Sequence, residues 1–211
     1  PSGMMRYRSA VFGAAYRDTY FAAQFNTARV MWTRLQRQGA SFLSEDEVFL
    51  SSPSRDFHPT DVLEDADGSL LVIDTGGWFR ISCPKSEVAK PGIPGAIYRI
   101  RRVNGKAPVD PLGSQVDWSR ASAVELARLL DDARVFVRDR ARESLVTLGD
   151  RGLAALEVAP ESTVVWRRNT VWTLSRIATA RARAMILPFL ADSDVTVRQA
   201  AVRSVGMLQE T

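Results

Sequence analysis

The sequence predicts a mixed fold with α and β structure in separate domains: antiparallel strands over residues 1–104, then an α-helical array over residues 119–211. Three observations predict it. Short β-rich runs punctuated by glycine turns fill the first half. A gap-free periodicity of 30 residues fills the second. Between them, residues 105–118 are rich in Pro, Gly and polar side chains and read as a linker.

The strands come first. Met4–Arg8 is a short mixed run. Thr19–Phe25 (TYFAAQF) and Arg29–Leu35 (RVMWTRL) flank the polar turn Asn26-Thr27-Ala28 and read as a hairpin. Pro59–Leu63 leads to Asp67-Gly68, a strong tight-turn dipeptide. Ser69–Asp74 (SLLVID) follows as a strand and ends at Thr75-Gly76-Gly77. Gly95–Val103 (GAIYRIRRV) closes the series. Short strands at this spacing suit propeller blades, a barrel or a sandwich.

The helices follow from the repeat. Val135, Val165 and Val195 are 30 apart, as are Leu126, Leu156 and Ile186, and Leu129, Ala159 and Phe189. In the second helix of each unit, positions 137/167/197, 141/171/201, 145/175/205 and 148/178/208 share one face. Ten of those twelve are Val, Ala or Leu, and the exceptions are Arg167 and Ser175. Steps of +4, +4 and +3 are those of an amphipathic helix. The predicted pairs are 121–130 with 134–149, 151–159 with 163–179, and 181–191 with 194–209. One pair cannot bury its own apolar face, but stacked pairs can, and a period near 30 fits HEAT-like units. Asp132, Ser162 and Asp192 occupy equivalent places before the second helices, where such residues suit N-terminal turns. Arg138, Arg168 and Arg198 lie six residues further on. This row reads as a structural ladder of Arg with Asp from its own or a neighbouring unit, with a binding row as the alternative.

Composition narrows the function classes. The chain has 211 residues, is 45% hydrophobic and can bury a core. Its net charge of +4 is spread as about +2 in each half. Nucleic-acid binders concentrate basic charge on one face or segment, so no nucleic-acid partner is expected. A single cysteine, Cys83, excludes an internal disulfide, a cysteine-based zinc cluster and a Cys-x-x-Cys-His haem site within these residues. No run of about 18 apolar residues is present to span a membrane. The chain opens Pro-Ser-Gly and its last repeat lacks a polar cap, so it reads as an excerpt of a longer protein.

Candidate chemistry gathers before the second group of strands. His58, the only histidine, sits in Asp56-Phe57-His58-Pro59-Thr60-Asp61. A histidine near carboxylates has the makings of a general base, so His58, Asp61 and Asp74 form the candidate catalytic set. The competing readings are a loop histidine bonded to backbone and a turn-capping Asp74. Asp65-Ala66-Asp67-Gly68 lacks the downstream Glu of a calcium loop and reads as a hairpin turn. Thr75-Gly76-Gly77-Trp78 has no Gly-Lys-Ser/Thr, which argues against a phosphate cradle. Cys83 is read as inert, and Trp32, Trp78, Trp118, Trp166 and Trp172 as packing residues.

One family resemblance adds to this. The stretches Pro1-Ser2-Gly3-Met4, Tyr16–Ala23, Pro59-Thr60-Asp61-Val62, Asp67–Asp74 and Gly95–Ile100 resemble the end of a glucose/sorbosone dehydrogenase-like β-propeller. With helical repeats following, the order resembles the exported membrane-bound dehydrogenases of PVC-type bacteria. The resemblance implies partial propeller blades, then a HEAT-like solenoid. It implies an exported or periplasmic oxidoreductase acting on a small sugar or alcohol, with the repeats open to a protein partner. It also suggests a pyrroloquinoline quinone cofactor. The family's cofactor lysine would fall near Asn26 and its paired arginines near His58 and Thr60, and none of the three matches. No turnover is expected of this chain alone. The alternative is a non-enzymatic scaffold or protein-binding module.

Overall fold

The computed structural model describes residues 1–77, 90, 92–158 and 163–208. Trp78, Cys83, Ala159 and Ser162 lie outside them. The chain divides into two compact units, Pro1–Val109 and Asp110–Thr211. The first is built on antiparallel sheets and the second on helices, so α and β structure are segregated along the chain.

The first unit holds two sheets with strands in chain order. One comprises β1 (Gly3–Arg6), β2 (Tyr20–Gln24), β3 (Arg29–Gln38) and β4 (Ser41–Ser51). The other comprises β5 (Pro59–Glu64), β6 (Leu70–Asp74) and β7 (Ala96–Ile100). Neither sheet closes on itself. β4 is absent from the sequence reading, and β3 runs three residues past the predicted Leu35. The hairpin β3–β4 turns at Gly39-Ala40, with Gly39 at φ +60°, the conformation a two-residue turn wants at its first position. A bulge opposite Val30/Met31 leaves Phe49 extra on β4. Bulges re-aim side chains, and here Phe49 points inward, 4.8 Å from the Phe21 ring and edge-on to it. Tyr7, Phe12, Phe21, Val30, Trp32, Phe57, Val62, Leu70 and Val72 make the core. Large apolar side chains of this kind stabilise by ~1.5–3 kcal/mol each when buried. Tyr7 is fully buried, yet its hydroxyl donates to the Gly68 carbonyl at 2.7 Å and accepts from the Phe12 amide at 3.2 Å.

The second unit has α1 (Ala123–Arg128), α2 (Val135–Leu148), α3 (Asp150–Val158), α4 (Val164–Ile177), α5 (Ala180–Ile186) and α6 (Val195–Leu208). α1 and α5 each continue into a 3₁₀ turn, Leu129–Asp131 and Leu187–Ala191. Helix α2 packs on α4 and α4 on α6, while α1 packs on α3. Leu126, Leu156 and Ile186, the predicted 30-spaced set, are all buried. Ser122 starts α1 through a reciprocal bond with Glu125, and Thr163 and Thr179 cap α4 and α5. Each cap satisfies an amide that the first helical turn leaves without a partner. Residues 110–118, read as linker, pack on the helices: Asp110 takes an ion pair from Arg134 at 3.1 Å, and the Arg140 guanidinium lies 4.4 Å over the Trp118 ring.

The middle unit departs from the strict period. The second helices start at 135, 164 and 195 rather than every 30 residues. Their buried faces align as Val137/Trp166/Val197 and Ala141/Thr170/Ala201. One residue along a helix is a turn of about 100°. The predicted face through Arg167 and Ser175 is therefore displaced by that angle, which is why its two polar members stand there. No helix among the described residues is long and apolar enough to cross a membrane.

Candidate functional site

The predicted set of His58, Asp61 and Asp74 is only partly assembled. β6 ends at Asp74, whose side chain is buried. Its Oδ1 accepts the amides of His58 and Gly76, both at 2.8 Å. An aspartate bonding the amide two residues on is the mechanism of an Asx turn, and Asp74 also holds the incoming strand at His58. The carboxylate thus reaches the backbone of His58. The His58 ring turns elsewhere: Nδ1 lies 2.6 Å from the Gly76 carbonyl oxygen. A carbonyl only accepts, so Nδ1 carries the proton in this contact. The ring also lies 4.6 Å from that of Phe25. Tyr98 brings its hydroxyl within 3.5 Å of Asp74 Oδ2.

Asp61 belongs to a different neighbourhood. It follows the irregular register at Pro59/Asp61, and its Oδ1 accepts the Val62 amide at 2.8 Å. Its carboxylate fills the space where Gly3 of β1 would carry a Cβ. Gly3 is therefore required by the close approach of β1 to β5. What His58 and Asp74 form is a tightly cross-bonded strand end. Tyr98 and Phe25 complete its surroundings, and neither carries a sequence signal, because each reaches the turn from another strand or loop.

A second polar cluster lies at the β5–β6 turn. Asp67 Oδ1 accepts the Ser69 amide and hydroxyl at 2.9 and 2.5 Å. Arg99 Nη1 reaches Asp65 at 2.5 Å and the Ser69 hydroxyl at 2.6 Å. Burial works against ionisation of Asp67, but the Ser69 bonds, the Arg99 charge and the Arg101 bond outweigh it and hold the carboxyl pKa below its usual range. Asp65-Ala66-Asp67-Gly68 is thus a cross-braced turn, with Gly68 at φ +78°. No group of three or more His, Cys, Asp or Glu able to hold a metal occurs among the described residues.

In the helical unit, Arg138 and Arg198 play one role. Each donates through Nη1 to carbonyls closing the preceding turn: Arg138 to Asp132 at 2.5 Å and Ala133 at 3.1 Å, Arg198 to Asp192 at 2.6 Å and Ser193 at 2.9 Å. They grip the backbone of the aspartates, and the carboxylates take other arginines. Asp132 accepts from Arg134 Nε at 2.9 Å and Nη2 at 2.8 Å. Asp192 accepts from Arg167 of the preceding unit. Arg168 instead donates to the Thr196 hydroxyl at 3.2 Å. The fourth residue of each second helix is Arg138, Arg167 and Arg198, so Arg167 rather than Arg168 is the row's middle member. Asp132 and Asp192 stand in the turns before α2 and α6, each accepting the amide two residues on at 2.8 Å. Thr163 caps α4, and Asp194 takes the amides of Thr196 and Val197 at the start of α6.

These contacts set the carboxyls' acidity. The Arg134 bond, against some desolvation, holds Asp132 below the usual carboxylate range, and the Arg167 bond does the same for Asp192. α1 and the turn before it form a groove of about 410 Å³ lined by Val116, Arg120, Glu125, Arg128 and Leu129. Its lining mixes apolar and charged side chains.

The three positions that the family resemblance assigns to quinone recognition offer no cation. Asn26 is exposed, His58 bonds a carbonyl, and the Thr60 hydroxyl donates to the Ile73 carbonyl at 3.2 Å. A quinone bearing several carboxylates calls for arginine or lysine partners, and this donor set does not fit it. In comparisons with known proteins, no family model, no curated protein and no solved structure matches this chain.

Proposed function

We propose that this chain is a protein-interaction module: a HEAT-like solenoid that presents a binding surface, carried behind the closing blades of a β-propeller. The observation that carries this reading is the run α2–α4–α6. These helices pack in chain order and are linked across units by the Arg167–Asp192 pair. Linked in this way, the repeats present one continuous surface. The strand-end role of Asp74 and His58 supports the same reading, since both are engaged by backbone.

A second reading, that the parent protein is an exported, periplasmic oxidoreductase of the glucose/sorbosone dehydrogenase-like kind, draws support from the first unit. A four-stranded meander in chain order, β1–β2–β3–β4, is the form of a propeller blade. In this reading the small-molecule substrate binds the complete parent.

Two measurements separate the readings. Affinity capture from periplasmic extract with the wild-type chain and with Arg128→Glu is expected to retain a partner that the variant loses. Equal capture by both, or none, counts against a site at the groove. A dye-linked dehydrogenase assay on the chain, with and without pyrroloquinoline quinone, is expected to give no turnover. Turnover abolished by His58→Gln would reverse the order of the two readings.

A further inference from the structure

The β3–β4 hairpin outruns its sheet. β2 pairs with β3 over Arg29–Thr33 only, yet β3 continues to Gln38 and β4 returns from Ser41. Beyond Thr33 the ribbon is exposed on both faces. A two-stranded ribbon alone is marginal in water. Cross-strand bonds hold this one: the Thr33 hydroxyl donates to Asp46 at 2.5 Å, and Arg34 grips Glu45 through Nε and Nη2 at 2.9 and 2.6 Å.

Among the described residues, β4 ends its sheet and pairs with β3 alone. Its 11 residues therefore offer a long outer edge for pairing. The ribbon's faces differ chemically. Glu45 and Glu47 stand on the face of Trp32 and Arg34. Leu35, Phe42 and Val48 stand on the other, 42%, 55% and 50% exposed, with Arg37, Ser44 and Asp46 among them, while Leu43 lies on the glutamate face. Proteins usually blunt such an edge, and here the run Glu45-Asp46-Glu47 does so against self-pairing. Asp46 is the middle residue of β4. Antiparallel pairing of two copies over the full strand would set Asp46 against Asp46 and Glu45 against Glu47, and like charges directly opposite destabilise a ladder. The same carboxylates are complementary to a basic strand.

We propose that the outer edge of β4 receives an extended segment of a partner protein whose side chains alternate basic and aliphatic. The basic residues face Glu45 and Glu47, and the aliphatic ones face Phe42 and Val48. Main-chain hydrogen bonds supply affinity and the alternating side chains supply selectivity, the mode of strand addition. The site belongs to the first unit alone and does not depend on how the helical surface is used.

The test uses the full chain and fluorescence anisotropy with three labelled probes: an alternating Lys-Val decapeptide, its Glu-Val counterpart, and the Lys-Val peptide N-methylated at alternate amides. The chain carries a net charge of +4, so unspecific attraction would favour the Glu-Val peptide. The expected result is binding of Lys-Val at least about tenfold tighter than of either other probe, equivalent to ~1.4 kcal/mol. Glu47→Lys is expected to weaken Lys-Val binding and strengthen Glu-Val binding. Equal affinity for all three probes on the wild-type chain would overturn the proposal. So would indifference to Glu47→Lys, or sedimentation showing a dimer that Lys-Val fails to dissociate.

Discussion

Arg167 grips Asp192 at two points, Nε to Oδ2 at 2.7 Å and Nη2 to Oδ1 at 3.0 Å, and so ties α4 to the turn that opens the next helix pair. The side chains are 21% and 8% exposed, so solvent screens this pair less than a surface one. Bidentate guanidinium–carboxylate bonds are among the stronger hydrogen bonds. Asp192→Ala is expected to lower unfolding free energy by about 1–3 kcal/mol in urea titrations. Arg168→Ala, one residue away, is expected to cost less than half as much.

The same carboxylates fix the acid limb of stability. Arg134 holds the Asp132 pKa and Arg167 the Asp192 pKa below the ordinary carboxylate range, and the Thr196 hydroxyl does so for Asp194. A carboxyl depressed by folding binds fewer protons folded than unfolded. Its contribution is present above the unfolded value, near 3.9, and is lost as pH falls through the folded one. Urea midpoints are expected to hold level from about pH 7 to 5 and to fall below about pH 4. Asp192→Asn should flatten that fall.

The strand end at Asp74 gives a graded test of its structural role. Asparagine keeps an oxygen able to accept the His58 and Gly76 amides, whereas alanine strands both. Asp74→Ala is expected to destabilise by about 1–3 kcal/mol, and Asp74→Asn by clearly less, read from thermal unfolding.

Tyr7→Phe removes one hydroxyl from a fully buried ring and leaves the Gly68 carbonyl and Phe12 amide without it. A loss of about 1–3 kcal/mol is expected. In the wild-type chain, burial pushes the Tyr7 pKa above the ordinary phenol value, despite the Ser9 and Phe12 bonds that oppose it. Spectrophotometric titration should therefore find one tyrosine that ionises late.

The division into strands and helices was legible because each has its own hydrophobic period. Leu126, Leu156 and Ile186 were readable as core from spacing alone. β4 was not, because the exposed part of a ribbon has no buried face, and Glu45-Asp46-Glu47 leaves no alternation to detect. The register of α4 was hidden by Val164-Val165, since either valine satisfies the pattern at the helix start. At the candidate site, Asp74 was visible as a strand end followed by Thr-Gly-Gly. Its choice of the His58 amide over the ring depends on the register at which β5 and β6 pair, irregular at Pro59/Asp61, and hydrophobic spacing does not carry that.

Between α2 and α4 the chain has lost one residue, and between α4 and α6 it has gained one back, since the starts fall at 135, 164 and 195. The buried faces still align, while every surface position of α4 is relabelled. A ruler of fixed 30-residue spacing would misname each functional side chain on that helix, beginning with Arg168 for Arg167. Mutational scans of this array are therefore better indexed by helix start than by residue count.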